Sequence, residues 1–280
     1  LMLFSEDNAL TRLARRLEVV RATVPLVRIS GKVAAATPAG FEVRGLSEEL
    51  KLGDLVEIDN AGAPVLAEVI RLGRDVAVVK PVGGEVAVPL GASAYVAGDM
   101  ALRPHDSWKG RLIDALGRPA DGGAALALGQ HPVHLRAGPP EAMMRTPISK
   151  HVATGVRAID VFTPLCLGQR IGVFAGSGVG KSTLLSMMSR AAGFDVIVVA
   201  LVGERGREVR EFVEITLGAL AERAVIVVST GDESPMMRRF APLTATAIAE
   251  YFRDTGANVL LIMDSVTRYA RALREIGLAG

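Results

Sequence analysis

Between residues 23 and 95, short apolar runs alternate with turn residues such as glycine, asparagine and proline. The apolar runs fall at residues 26–29, 41–43, 55–58, 65–70, 76–79 and 86–88. Strands of this length, separated at this spacing by turn residues, are typical of small barrels. We therefore predict a small β-barrel over residues 23–95.

The pattern changes after residue 145, where longer apolar runs alternate with helical segments. It predicts strands near residues 170 and 196, over 224–229 and near 259, with helices near 181, near 207 and over 240–254. Strands that alternate with helices are joined by right-handed crossovers and form a parallel sheet covered on both faces. We expect residues 96–280 to form an α/β core behind the barrel.

Residues 1–22 repeat leucine and alanine at spacings of three and four positions, with basic residues between them. This periodicity predicts an amphipathic helix. Its apolar face is compatible with docking on the protein itself, on a partner helix or on a membrane surface. Docking on the protein itself is the simplest of the three.

Composition restricts the class of protein. The 32 basic and 30 acidic side chains leave a formal net charge of only +2. Residues 23–95 hold two aromatic rings and more acidic than basic side chains, which argues against a barrel that stacks nucleic acid in a basic groove.

Two further features bear on the compartment. The single cysteine, Cys166, argues against disulfides and suits a reducing compartment. No stretch reaches the roughly 20 apolar residues of a membrane span. We expect a soluble, cytoplasmic protein that holds no metal except one bound together with a nucleotide.

The segment AGSGVGKST at residues 175–183 fits a loop that wraps backbone amides around nucleotide phosphates. Glycine has no Cβ atom, so the loop can adopt positive φ angles that turn successive N–H groups towards phosphate oxygens. Lys181 supplies a positive charge for the β- and γ-phosphates, and Ser182 offers a hydroxyl to Mg²⁺. The predicted phosphate-binding residues are Gly176, Ser177, Gly178, Val179, Gly180, Lys181, Ser182 and Thr183.

One position departs from the strict phosphate-loop pattern. The pattern opens with glycine, where this chain has Ala175. Because alanine is the next smallest residue and ends the predicted strand, we expect the change to be tolerated. The segment therefore predicts ATP as the ligand, bound with Mg²⁺.

Two acidic residues follow later apolar strands. Asp264 ends the run at residues 258–264, and Glu204 follows the run at 195–202. Such positions lie at the carboxyl edge of a parallel sheet, where phosphate-loop enzymes hold the metal and the attacking water. We predict that Asp264 binds Mg²⁺ through water and that Glu204 is the general base.

Several charged residues near these acids are each compatible with more than one role. Arg205 is predicted to reach γ-phosphate oxygens as a catalytic residue, and Glu208 to join the outer shell of the metal. A solvated helix surface explains Glu208 equally well. Arg268 is equally compatible with sensing phosphate and with a helix surface, and Arg238 with a subunit interface and with solvent.

These segments together closely resemble the flagellar export ATPases among the bacterial type III secretion ATPases, relatives of the catalytic subunit of rotary ATP synthases. The resemblance rests on FAGSGVGKSTLL at 174–185, ALVGERGREVREF at 200–212, AEYFR at 249–253 and DSVTRYA at 264–270, and it extends through GVRAID at 155–160 and IDALGRPAD at 113–121. By position, Lys181 and Ser182 match the family's phosphate loop and Asp264 its metal-binding acid. Glu204 matches its catalytic carboxylate, and Arg205 its phosphate-contacting arginine.

The resemblance implies a RecA-like P-loop NTPase core with a parallel sheet, preceded by a small N-terminal β-barrel. It also implies a homohexameric ring that hydrolyses ATP at subunit interfaces. The partners it implies are a regulatory protein at the N-terminal helix, export gate proteins, chaperones and secreted substrates, met at the inner face of the cytoplasmic membrane.

The family also has a further C-terminal part, with an adenine-stacking aromatic residue and an arginine finger, which the resemblance places beyond residue 280. An arginine finger contributes on the order of 10³ to 10⁵ in turnover. We therefore expect these 280 residues alone to bind nucleotide weakly and to hydrolyse it slowly.

Related functions share these motifs. An injectisome ATPase of the same secretion class differs mainly in the machine it serves, although DVFTPLCLGQ at residues 160–169 looks more like the flagellar form. A rotary synthase catalytic subunit has another pattern where this chain has GREV at 206–209, and an RNA-translocating hexamer lacks support in the barrel. A non-enzymatic alternative is an assembly module that binds ATP without hydrolysing it.

Overall fold

The computed structural model describes residues 28–176 and 178–279 of the chain. Their contacts divide the chain into two compact units. One unit contains the described residues up to Val79 together with Val88–Ala97, and the other contains Lys80–Ala87 and the residues from Gly98 onwards. The amphipathic helix predicted over residues 1–22 lies outside the described residues.

The first unit is built on a closed six-stranded β-barrel, as the sequence predicts. Its strands are β1 (Ser30–Thr37), β2 (Gly40–Arg44), β3 (Leu55–Ile58), β4 (Val65–Leu72), β5 (Val76–Pro81) and β6 (Ser93–Gly98). They follow the order β1-β2-β5-β4-β3-β6 around the barrel. The buried apolar side chains of these strands include Val33, Val43, Val56, Ile58, Ala67, Val69, Ala77, Val79 and Ala94.

One of the six predicted barrel strands, at residues 86–88, is wrong, and the described half of another is not a strand. Residues 86–88 are irregular, and so are residues 28 and 29 of the run at 26–29, whose first two residues lie outside the described part. The barrel instead closes where β6 pairs with β1, with Ser93 opposite Lys32 and Tyr95 opposite Ser30. A strand forms where a neighbouring strand pairs with its backbone hydrogen-bonding groups. Because β6 contains mostly small residues, a search for apolar runs did not predict it.

The second unit contains a four-stranded sheet with the order β14-β12-β13-β8, in which every pair is parallel. The strands of this sheet are β8 (Leu112–Asp114), β12 (Val196–Glu204), β13 (Ala224–Thr230) and β14 (Val259–Asp264). The unit also contains two short two-stranded sheets, formed by β7 (Ala101–Leu102) with β9 (Val133–His134) and by β10 (His151–Val152) with β11 (Leu165–Cys166). Its α-helices are α1 (Arg157–Phe162), α2 (Lys181–Ser189), α3 (Gly206–Glu211), α4 (Pro235–Asp254) and α5 (Val266–Ala279). A π-helical turn at Phe212–Leu217 and 3₁₀ turns at Asp106–Trp108, Ala142–Met144 and Gly218–Arg223 complete the regular structure.

The sheet is covered on both faces, which explains the unbroken apolar run of β12. On one face, Ile197, Val199 and Leu201 pack in a buried cluster with Phe212 and Leu217. On the other face, α4 packs across β12, β13 and β14. The alternation of strands and helices predicted after residue 145 is therefore confirmed for these three strands.

Helix α4 begins five residues before the start that we predicted at residue 240. Ser234 precedes the helix, and its hydroxyl oxygen accepts a hydrogen bond from the backbone N–H of Met237 at 3.0 Å. Pro235 then occupies the first turn, where its missing N–H is not needed. Capping and proline chemistry, which the apolar pattern does not contain, thus set the start of α4.

The strand predicted near residue 170 is wrong. Residues 171–176 are irregular, and the ring of Phe174 is 98% exposed. Within the described ranges, β14 at the edge of the sheet pairs with β12 alone, so the apolar segment before the glycine-rich loop has no strand beside it. An apolar run becomes a strand only when such a partner is present.

Across residues 28–176 and 178–279, no helix combines the length and the apolar character that crossing a membrane would require.

Candidate active site

The glycine-rich loop before α2 opens onto a cavity of about 720 Å³ beside the carboxyl ends of β12 and β14. Gly178 has a φ of +77° and Gly180 a φ of +103°, a conformation that side chains with a Cβ atom rarely adopt. Gly180 immediately precedes α2. Because the first amides of a helix have no intrahelical acceptor, this end of α2 is suited to bind an anion.

Most of the predicted phosphate-binding residues line this cavity. They are Gly176, Gly178, Gly180, Lys181, Ser182 and Thr183. Val179 is 73% exposed and is absent from the lining, and Ser177 lies outside the described residues. A Cβ atom at Gly176 would only make an ordinary contact of 3.6 Å with Val179, so here the backbone does not require glycine.

Lys181 and Asp264 form the charged centre of the cavity. Strand register places Asp264 of β14 opposite Leu201 of β12, so the acid lies at the same sheet edge as Glu204. The Lys181 Nζ atom donates to Asp264 Oδ1 at 2.6 Å, and only 9% of the Asp264 side chain is exposed. Such a pairing offsets the cost of burying a carboxylate.

Glu204 ends β12, and its side chain points into the same cavity. Its Oε2 atom lies 3.1 Å from a guanidinium nitrogen of Arg268, and 14% of the side chain is exposed. The same Arg268 nitrogen donates to the carbonyl oxygen of Gly203. Arg268 therefore fixes both the carboxylate and the strand end that carries it.

The surroundings of Glu204 make it a weaker acid than usual. Burial raises the pKa of Glu204 to about 7, with smaller contributions from its hydrogen bond to Glu208 and from the negative charge of Asp264, against the opposing charge of Arg268. The hydrogen bond to Glu204 lowers the pKa of Glu208. Glu204 can therefore gain and lose a proton near neutral pH, as a general base must.

This raised pKa predicts a pH dependence of stability. The folded protein holds the Glu204 proton more tightly than the unfolded chain, where the carboxyl has a pKa of 4.5. The protonated Glu204 carboxyl therefore contributes fully to stability at low pH, and this contribution is lost as pH rises through about 7. In metal-free buffer, we expect the Tm of the wild type to fall relative to that of Glu204→Gln from about pH 5 to about pH 8. A Tm difference that stays constant over this range would contradict the assignment.

Glu208 lies in the wall of the cavity, whereas Arg205 lies outside it. Glu208 lines the cavity beside Glu204 and accepts a hydrogen bond from the backbone N–H of Arg205 at 3.3 Å. The Arg205 side chain is 69% exposed and lies 3.7 Å from Glu208. Arg205 is absent from the cavity lining and borders a neighbouring cavity instead. Its predicted contact with the γ-phosphate stays a prediction.

Sequence patterns left the role of Arg268 open, whereas the structure places it in the cavity wall against Glu204. One signal was available: Arg268 follows Asp264 by four residues, on the first turn of the helix that begins after β14. That position turns a long side chain back towards the strand end.

The absence of a side chain at Gly203 leaves space for the Arg268 side chain. The φ of Gly203 is +69°, and a Cβ atom there would lie 3.0 Å from Arg268 Cδ and 3.6 Å from Arg238 Cδ. We expect Gly203→Ala to lower the free energy of unfolding by about 1–2 kcal/mol, because alanine disfavours this conformation. Urea unfolding measures the loss. Gly62→Ala, where no positive φ is required and nothing lies within 4 Å of the added atom, is the control, and equal losses in both variants would refute the argument from the conformation and surroundings of Gly203.

The fold and this cavity together define a nucleotide-binding domain. Residues 155–280 match the nucleotide-binding domain of the ATP synthase alpha/beta family, and this range contains the glycine-rich loop, Glu204 and Asp264.

Within this class, the chain is similar in sequence to flagellar and type III secretion ATPases, in agreement with the resemblance seen in its motifs. It is 51% identical over 251 residues to the flagellum-specific ATP synthase of Rhizobium meliloti (strain 1021), a match that covers 89% of this chain and 53% of that protein. It is 43% identical over 268 residues to the type 3 secretion system ATPase of Xanthomonas euvesicatoria, over 94% of this chain and 60% of that protein.

Solved structures give the same result. The assembled ATPase EscN, in complex with its central stalk EscO from the type III secretion system of enteropathogenic E. coli, matches with a TM-score of 0.79 and 42% sequence identity. The match covers 89% of this chain and 61% of that one. The chain spans about half the length of the curated relatives it matches.

Proposed function

We propose that the protein of which this chain is part hydrolyses ATP to drive protein export through the type III secretion apparatus of the flagellum. The observation that carries this proposal is the convergence of Lys181, Asp264 and Glu204 on the cavity beside the glycine-rich loop. A site with a cation, a metal-binding acid and a second acid of raised pKa suits hydrolysis better than binding alone.

The oxygen atoms around the cavity fit Mg²⁺. Asp264 offers a buried carboxylate, Ser182 a hydroxyl and Glu208 a second carboxylate. Mg²⁺ bound with a nucleotide usually takes its other ligands from phosphates and water. When bound, Mg²⁺ would neutralise charge on the β- and γ-phosphate oxygens.

The residues of the chain then have distinct roles. Lys181 and the amides at the start of α2 bind and orient the phosphates. Glu204 holds the attacking water by hydrogen bonding and accepts its proton on a carboxylate oxygen. Arg268 holds the Glu204 carboxylate in place through an ion pair of 3.1 Å. Arg205 would reach the γ-phosphate only after its exposed side chain leaves Glu208.

We further propose that the complete protein has three parts, at residues 1–22, 23–95 and from 96 onwards, and that it works as a homohexamer. EscN is described as an assembled ATPase that binds a central stalk, and homology at 42% identity supports a similar assembly here. The proposed partners are a regulatory protein at the N-terminal helix, export gate proteins, chaperones and secreted substrates. The proposed location is the cytoplasm, at the inner face of the membrane-embedded apparatus.

Sequence identity favours the flagellar machine over an injectisome, because it is 51% to a flagellum-specific relative and 43% to a type 3 secretion relative. Deletion of the gene in the source organism tests this. We expect the cells to lose export of flagellar filament protein and to regain it with the wild-type gene but not with one encoding Glu204→Gln. Normal filaments in the deletion strain would refute the flagellar assignment.

A further inference from the structure

Glu204 lies on the face of the sheet where an unbroken strand would not place it. Successive side chains of a strand point to opposite faces, so residues 201 and 204 of a regular strand face opposite sides. Leu201 belongs to the buried cluster on one face, and regular alternation would turn Glu204 towards the other face, which α4 covers. Leu201 and Glu204 nevertheless both line the cavity of about 720 Å³. The alternation of β12 must therefore change between them.

Strand register locates this change at Gly203. Val202 lies opposite Ser229 of β13, and Glu204 lies opposite the very next residue of β13. Gly203 is thus an extra residue in β12 and forms a bulge. Pairing resumes beyond it, where the Gly231 N–H donates to the carbonyl oxygen of Glu204 at 3.0 Å. A shift by one residue moves the following side chain to the opposite face, which accounts for the place of Glu204.

Two glycines make this bulge possible. The φ of Gly203 is +69°, a conformation that glycine adopts readily and that one type of bulge requires. The carbonyl oxygen of Gly203 accepts a hydrogen bond from Arg268, which also pairs with Glu204. A Cβ atom on Gly231 would lie only 3.1 Å from the same carbonyl oxygen. A larger residue at either glycine would therefore press on the bulge.

We propose that Gly203 is a positioning residue for hydrolysis, because its bulge turns the Glu204 carboxylate onto the face of the sheet that lines the cavity. Gly231 leaves the space that the bulge needs, and Arg268 ties the bulge to the carboxylate that it directs. The catalytic consequence rests on the proposed ATP hydrolysis, whereas the direction of the Glu204 side chain does not. Since a general base must reach the attacking water, the bulge affects the chemical step and leaves nucleotide binding unchanged.

Kinetics of the full-length protein test the effect on the chemical step. We expect Gly203→Ala to lower kcat for ATP hydrolysis about 10–100-fold, with KM for ATP unchanged. Gly231→Ala should lower kcat by a smaller factor, because its added Cβ atom presses on the bulge from the neighbouring strand end. Gly206→Ala is the matched control, because it lies in the same segment and nothing lies within 4 Å of the added atom. A wild-type kcat in Gly203→Ala would overturn the proposal.

A double-mutant cycle separates positioning from general damage to the fold. Because the bulge acts through Glu204, adding Gly203→Ala to Glu204→Gln should leave the residual rate of that variant unchanged. A loss by the same factor in both backgrounds would show that Gly203 only supports the fold, and it would contradict the positioning role.

Stability measured without nucleotide tests the direction of the side chain itself. With glycine at position 203, we expect the Tm of the wild type to fall relative to that of Glu204→Gln between about pH 5 and about pH 8. In the Gly203→Ala background this fall should be smaller, because a carboxyl turned out of its buried place has a pKa closer to 4.5. A fall of equal size would overturn the proposal. Lack of hydrolysis by the wild type would instead contradict the proposed function, and the Tm comparison would still decide whether Gly203 directs Glu204.

Discussion

Replacement of Glu204 by glutamine is expected to lower kcat for ATP hydrolysis by about 10²–10⁴ while nucleotide affinity stays the same. Glutamine has the shape of the protonated carboxyl, and with a pKa of about 7 that form is already well populated at neutral pH. The substitution therefore preserves packing at the end of β12 and removes only the ability to accept a proton from water. Steady-state phosphate release and equilibrium binding of a nucleotide analogue separate the two effects.

Glu214→Gln is the matched control for this experiment. Glu214 is a glutamate of the same unit whose side chain is 59% exposed and pairs with Arg210 at 2.8 Å, outside the cavity lining. We expect this control to hydrolyse ATP at the wild-type rate. Full activity in Glu204→Gln would show that another group accepts the proton and would contradict the assignment of Glu204 as the general base.

The second large effect is expected from Lys181→Ala, which should weaken ATP binding about 100-fold. Lys181 is the only cation in the loop that begins α2, and it lies at the centre of the cavity. Its loss also leaves the buried Asp264 carboxylate without its 2.6 Å partner, so we expect a lower Tm as well. Calorimetric titration with the Mg²⁺ complex of a non-hydrolysable ATP analogue measures the affinity.

Lys150→Ala separates this effect from a general change of charge, because Lys150 is exposed and does not line the cavity. Lys181→Arg addresses stability: arginine keeps a positive charge beside Asp264, so it should restore most of the Tm. If Lys181→Ala bound the analogue as tightly as Lys150→Ala does, the loop would not be the phosphate site.

Sequence patterns predicted the parts of the fold in which local signals and tertiary packing agree. The unbroken apolar run of β12 requires cover on both faces, and the structure provides that cover. The positive φ angles of Gly178 and Gly180 are likewise local requirements that glycine reveals in a sequence. The sequence alone predicted that Asp264 and Glu204 lie close together, because the carboxyl ends of parallel strands share one edge of the sheet.

The misses share a different cause, which is dependence on a partner distant in sequence. Residues 171–176 are apolar enough for a strand but have no strand beside them in the described part of the chain. Strand β6 contains few large apolar residues and forms because β1 offers it hydrogen bonds. The role of Arg268 depends on its ion pair with Glu204, which lies 64 residues earlier in the chain and which a local pattern does not reveal.

The central claim is that backbone amides of the glycine-rich loop enclose a triphosphate whose terminal group lies between Glu204 and Asp264. A crystal structure of the full-length protein with Mg²⁺ and a non-hydrolysable ATP analogue tests it most directly. We expect the terminal phosphate to lie about 3 Å from Lys181 Nζ, with Asp264 on the metal side and Glu204 on the side of the attacking water. A nucleotide bound elsewhere, or a terminal phosphate beyond the reach of both acids, would contradict it.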